Sequence, residues 1–118
     1  MYVQPADATQ RKPVTVPGLR AMKARGEKIA VLTCYDASFA AHMEAVGVDV
    51  ALVGDSLGMV VQGNASTLPV TLDQMVYHTS LVARGVQSTL LIVDLPFMQF
   101  RDPATALAAS ARLMKEGG

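Results

Sequence analysis

The sequence predicts an α/β fold on parallel strands, and three observations carry that prediction. Short apolar runs rich in β-branched residues recur at residues 28–34, 48–53 and 89–93, and each is followed by chain with the apolar spacing of a helix. The runs show little polar alternation, as expected of strands covered on both faces in a parallel sheet. A carboxylate stands at the end of the second and third runs, Asp55 just after Gly54 and Asp94 directly after Val93. Strand–helix units in succession call for right-handed crossovers between parallel neighbours, and such folds take their ligands beyond the carboxyl ends of the strands.

Taken in order, residues 1–18 are polar, contain Pro5, Pro13 and Pro17, and form an expected mobile leader. A short helical piece follows from about Leu19 to Arg25, closed by Gly26, with the character of a lid or plug. Residues 28–34 (KIAVLTC) are the first strand, after which Asp36 or Ser38 can cap a helix. Phe39, Ala40, Met43 and Val46 fall on one face of that helix, and Gly47 stands at its C′ position. The second strand, residues 48–53, gives way at Gly54 to a long loop in which Gly58, Gly63 and Asn64 supply turn chemistry. Loops of this length in compact domains are usually functional.

Thr71 and Gln74 have the spacing of a capping box, so a helix should begin at Leu72, with Leu72, Met75, Val76, Thr79, Val82 and Ala83 as its buried face. Residues 89–93 (TLLIV) are the third strand. Asp102-Pro103 is a capping carboxylate before proline at the first helical position, and Leu107, Ala111 and Met114 continue that helix to Gly117-Gly118. Three parallel strands leave bare edges and an uncovered face, whereas a closed (β/α)8 barrel needs ~250 residues. The 118 residues are therefore expected to be the first part of a larger, truncated domain, with residues 19–118 its N-terminal portion.

Ten basic residues balance ten acidic ones, and the chain is 51% hydrophobic and 17% charged. This removes the basic footprint of a nucleic-acid binder and favours a small-molecule ligand. One cysteine, Cys34, forms no internal disulfide. No apolar run approaches the ~18 residues that span a bilayer, and the leader lacks the apolar core of a signal peptide. A cytoplasmic location without membrane partners is the expectation.

Asp55 and Asp94, at equivalent strand ends, have the oxygen chemistry to converge on one divalent cation. Mg²⁺ accepts one or two carboxylates and completes its shell with water and substrate. The alternative is that both cap nearby backbone, and spacing alone leaves the two readings open. Gly54-Asp55-Ser56-Leu57 also spells the nucleophile block of GDSL esterases, but neither His42 nor His78 follows an aspartate by three residues, and a serine without its base is inert. A receiver-like signalling module with Asp94 as phosphoacceptor is the alternative function. It lacks the paired acidic residues after the first strand and the lysine after a fifth.

The blocks TCYDASFA (33–40), LVGDSLGMVVQGNASTLPVT (52–71), YHT (77–79) and DLPFM (94–98) stand in an order and spacing that resembles the ketopantoate hydroxymethyltransferase family over residues 16–118. The resemblance implies a (β/α)8 TIM barrel of the phosphoenolpyruvate mutase and isocitrate lyase type. It also implies transfer of a hydroxymethyl group from 5,10-methylenetetrahydrofolate to 3-methyl-2-oxobutanoate, giving 2-dehydropantoate in the first step of pantothenate and coenzyme A synthesis. Asp55 and Asp94 match the family's Mg²⁺ carboxylates, and Asp55, Ser56 and Asp94 match its contacts to the 2-oxo acid. Full-length relatives form homo-oligomers. The family's substrate lysine, further metal-site glutamate and general-base glutamate are all expected beyond residue 118, so the chain alone is expected to be inactive. Lys115-Glu116-Gly117 resembles the lysine–glutamate segment only superficially, since it lies on a helix end.

The remaining polar residues have plain readings. His78 is expected to pack or hydrogen-bond on a helix rather than bind metal. Cys34 reads as a small buried apolar residue and the seven methionines as core filler. Asp36 serves either as a helix cap or at the mouth of the barrel.

Overall fold

The computed structural model describes residues 11–118. Its elements are α1 (Val16–Ala24), β1 (Val31–Thr33), α2 (Ala37–Val46), β2 (Val50–Val53), α3 (Leu57–Val60), α4 (Leu72–Ala83), β3 (Leu90–Val93) and α5 (Pro103–Gly117). The three strands form one parallel sheet in sequence order, β1-β2-β3, with Val31 beside Val50 and Val50 beside Leu90. That order separates the chain from receiver-type folds, in which the first strand lies between the second and third. The phosphoacceptor alternative thus loses its scaffold.

The helices follow their local signals. Asp36, Thr71 and Asp102 each accept a hydrogen bond from the backbone N–H three residues on, and Gln74 returns the bond to Thr71 N–H to complete the capping box. Gly47 ends α2 at φ 79°, a left-handed conformation costly for any residue with a Cβ. α1 begins at Val16, earlier than the expected Leu19, because Thr15 caps Gly18 N–H and Pro17 fits the first turn. Of the expected leader, residues 1–10 lie outside the described residues. Arg11 bonds the Val48 carbonyl and Asp49, and Val14 N–H donates to the Ser88 carbonyl.

α2, α4 and α5 lie side by side on one face of the sheet. Ala40, Met43, Met75, Val82 and Leu113 from the helices meet Ala51, Val53, Leu91 and Val93 from the strands, forming the core. On the other face Ile92 and Val31 remain 42% and 50% exposed, while Val50 beside Val31 is buried.

Helix-face expectations fared less well than caps. Phe39 and Val46 are 67% and 78% exposed, while Glu44 is buried. α5 buries Ala109, Leu113 and Gly117, leaving Leu107, Ala111 and Met114 exposed. Apolar spacing identifies a helix, but which of two adjacent stripes is covered depends on where its neighbours lie.

Candidate functional site

β2 and β3 pair in register up to Val53 and Val93, so Gly54-Asp55 and Asp94 leave the sheet at the same level. Asp94 N–H donates to the Val53 carbonyl at 3.0 Å, extending the ladder by one step. Its side chain then turns back, and Oδ2 accepts the Asp55 N–H at 3.2 Å. The two strand-end aspartates expected from the sequence are thereby joined, through the Asp55 backbone, at the carboxyl end of the sheet. The Asp55 carboxylate accepts no hydrogen bond from the described residues, and no deeply buried side-chain oxygen or nitrogen lacks a partner. Asp55 therefore keeps its oxygens where solvent or a ligand reaches them.

β1 delivers a third strand end to the same region. Cys34 N–H donates to the Leu52 carbonyl at 2.9 Å, which carries Tyr35 past the end of β1. The Tyr35 hydroxyl lies 2.7 Å from Ser56 Oγ. Ser56 stands at the N-cap of α3, yet its side chain makes no capping bond. Backbone bonds tighten this turn instead, with Leu57, Gly58 and Met59 N–H donating to the carbonyls of Gly54, Asp55 and Ser56. Gly54 has little room for a side chain, since a Cβ there would stand 3.0 Å from Ser56 Oγ and 3.3 Å from Asp94 Oδ2.

The short helix α3 inside the loop was not foreseen. It is anchored by the fully buried Leu57 and by Gly58, where a Cβ would collide with Val70. After Asp94, a turn closed by Gln99 N–H to the Pro96 carbonyl holds Met98 at φ 67°, a left-handed conformation uncommon for a residue with a side chain.

His78 hydrogen-bonds rather than joining a metal set. Its Nδ1 is 2.8 Å from the Tyr35 carbonyl oxygen, which can only accept, so Nδ1 carries the hydrogen. Its ring meets those of Tyr35 and Tyr77 edge-on, with centroids 6.4 and 5.4 Å apart. Tyr35, Tyr77 and His78, with Thr33, Phe39 and Leu81, line a mostly apolar cleft of about 490 Å³. Asp36 points its carboxylate at Phe39 N–H, as a cap. Cys34 is buried, and burial pushes its thiol above the ordinary range. His42 is exposed on α2.

Sequence reasoning passed over Tyr35. The available signal was its place just past the first strand, the position that Asp55 and Asp94 hold after the second and third.

Among the described residues no three His, Cys, Asp or Glu side chains gather as a cation cage. Asp55 and Asp94 offer hard oxygen donors of the kind Mg²⁺ takes in pairs, with the remaining positions left to water and ligand. The two side chains therefore suit such an ion in donor type.

The family model described as ketopantoate hydroxymethyltransferase matches residues 13–118. Among curated relatives, the chain is 58% identical over 113 residues to a 3-methyl-2-oxobutanoate hydroxymethyltransferase of Leptothrix cholodnii, covering 93% of this chain and 39% of the relative. It is 60% identical over 107 residues to the like-named protein of Ralstonia nicotianae, covering 91% and 39%. With that of Nitrosococcus oceani it shares 58% over 105 residues, covering 89% and 40%. The chain thus spans about two-fifths of the length of the curated relatives it matches. A parallel sheet in sequence order, two strand-end aspartates joined by the Asp55 N–H, and this likeness over nearly every residue agree: the chain belongs to the ketopantoate hydroxymethyltransferase family.

Proposed function

We propose that this chain carries the metal-binding and oxo-acid-binding strand ends of a 3-methyl-2-oxobutanoate hydroxymethyltransferase. On this reading its three strand–helix units are the first three of a (β/α)8 barrel. The enzyme moves a hydroxymethyl group from 5,10-methylenetetrahydrofolate to 3-methyl-2-oxobutanoate. The single observation that carries the reading is the pairing of Asp55 and Asp94, through the Asp55 N–H, at adjacent parallel strand ends. The names of the relatives supply the acceptor and the group transferred, and the family resemblance implies the folate donor.

Asp55 and Asp94 would hold Mg²⁺, which when bound supplies Lewis-acid stabilisation of negative charge on the keto oxygen of the oxo acid. The chain's own residues bind and orient. Ser56, from its hydroxyl or its N–H, takes the substrate carboxylate and fixes which face of the molecule meets the folate. Gly54 allows Ser56 and Asp94 to approach one another across the same small space. The proton at C3 needs a base, and among the described residues no third acidic side chain joins Asp55 and Asp94. The chain by itself is therefore proposed to form no ketopantoate, because positioned acid–base catalysis is worth ~10²–10⁴-fold.

Calorimetric titration with Mg²⁺ tests the site. Weak binding that falls at least tenfold in Asp94→Asn is expected, and equal binding by both proteins would remove Asp94 as a ligand. Ketopantoate formation followed with both substrates and Mg²⁺ tests the rest. Turnover by the chain alone that is lost in Asp55→Ala would require a base among the residues present.

A further inference from the structure

We propose that Tyr35 is a positioning residue: its hydroxyl donates to Ser56 Oγ, which turns the Ser56 proton toward the carboxylate of the bound oxo acid, and His78 holds Tyr35 in place. The inference rests on the reading of Ser56 as the carboxylate contact. Two hydroxyl oxygens 2.7 Å apart share one proton between them. If Ser56 gave its proton to Tyr35, only lone pairs would face an incoming carboxylate, and the contact would be repulsive. If Tyr35 gives its proton, the Ser56 O–H is free to donate outward. A phenol is a stronger hydrogen-bond donor than an aliphatic hydroxyl, so the proton between them is the one Tyr35 gives. A hydroxyl that is already accepting a hydrogen bond also donates more strongly.

Two further features of the chain support this direction. Ser56 occupies an N-cap position but leaves the helix N–H groups alone, so its hydroxyl is committed to Tyr35 rather than to α3. Tyr35 in turn is tethered through its carbonyl, which accepts the His78 Nδ1–H at 2.8 Å, while the His78 ring packs edge-on against the phenol ring. The relay therefore links α4 to the strand end that carries Ser56.

The test is calorimetric binding of 3-methyl-2-oxobutanoate to this chain in saturating Mg²⁺, with a thermal melt of every variant. Tyr35→Phe keeps the ring and should weaken binding roughly tenfold, the scale of one hydrogen bond. Ser56→Ala should weaken it at least as much. Adding Tyr35→Phe to Ser56→Ala should cost nothing further, because the two groups act as one unit. His78→Ala should weaken binding severalfold, and His78→Asn, whose amide can donate near the Nδ1 position, should restore it. The proposal is overturned if Tyr35→Phe binds like the native chain, or if it weakens binding equally in the Ser56→Ala background, which would mark a merely structural role. Failure confined to the Tyr35 and His78 variants leaves the site reading standing. A native chain that binds no oxo acid, or binds it as tightly after Asp94→Asn, overturns both.

Discussion

Glu44 and Asp55 are carboxylates at opposite ends of the same sheet, the first buried and the second half-buried. At the amino-terminal end, Glu44 is 6% exposed and reaches from α2 to the turn before β3. There it accepts the N–H groups of Gln87, Ser88 and Thr89 and the Ser88 hydroxyl. Asp49 nearby is similarly engaged, by Arg11 and the Ala30 N–H. At the carboxyl end, half-buried Asp55 accepts nothing from the described residues, and Asp94 accepts a single backbone N–H. One end engages its carboxylates with several protein donors and the other leaves Asp55 with none among the described residues, at the strand ends where parallel α/β sheets take ligands.

The largest expected effect comes from breaking the saturated end. Glu44→Ala orphans three backbone donors and a hydroxyl in a buried turn, and should lose about 3–5 kcal/mol in urea denaturation. Asp55→Asn should stay within about 0.5 kcal/mol of native. Comparable losses for the two variants would erase the distinction between the ends.

Acid titration sharpens the same contrast. Burial alone would raise the Glu44 carboxyl, but its donors, led by the Ser88 hydroxyl, outweigh burial and hold it at about 2. A folded pKa below the unfolded value of about 4.3 means that this stabilisation is present above that value and is lost as pH falls toward 2. The amount is about 3 kcal/mol, since each unit is worth about 1.4 kcal/mol. Melting temperatures between pH 5 and pH 2 should fall more steeply in the native chain than in Glu44→Gln, and parallel slopes would show that another carboxylate governs acid unfolding.

A small effect on stability, with a selective effect on the site, is expected from Gly54→Ala. Its methyl would press on Ser56 Oγ and Asp94 Oδ2, so stability should drop by no more than about 1 kcal/mol while Mg²⁺-dependent oxo-acid binding falls severalfold. A loss of stability matching Glu44→Ala would instead show that the carboxyl end is as structural as the other.

Much of the chain was legible because its signals are local. Asp36, the Thr71–Gln74 pair and Asp102 satisfy backbone groups within their own first turns, and Gly47 is selected by its own φ. The strand ends carrying Asp55 and Asp94 were visible for a similar reason, since a β-branched run ends where its covering ends. The sequence by itself thus determined the units, their caps and which carboxylates stand at their ends.

Tertiary structure decided the rest. Which stripe of α2 or α5 is buried depends on the neighbour it meets, so Phe39, Val46, Leu107 and Met114 stay exposed while Glu44 goes inside. The order of strands, which separates this fold from a receiver, is a property of the sheet that no single run encodes. The joining of Tyr35 to Ser56, 21 residues apart, and of Asp55 to Asp94, 39 apart, follows only when parallel pairing brings three strand ends to one level. Hydrogen bonds at such separations exist because the sheet closes the loops between them, and a linear pattern contains no record of that closure.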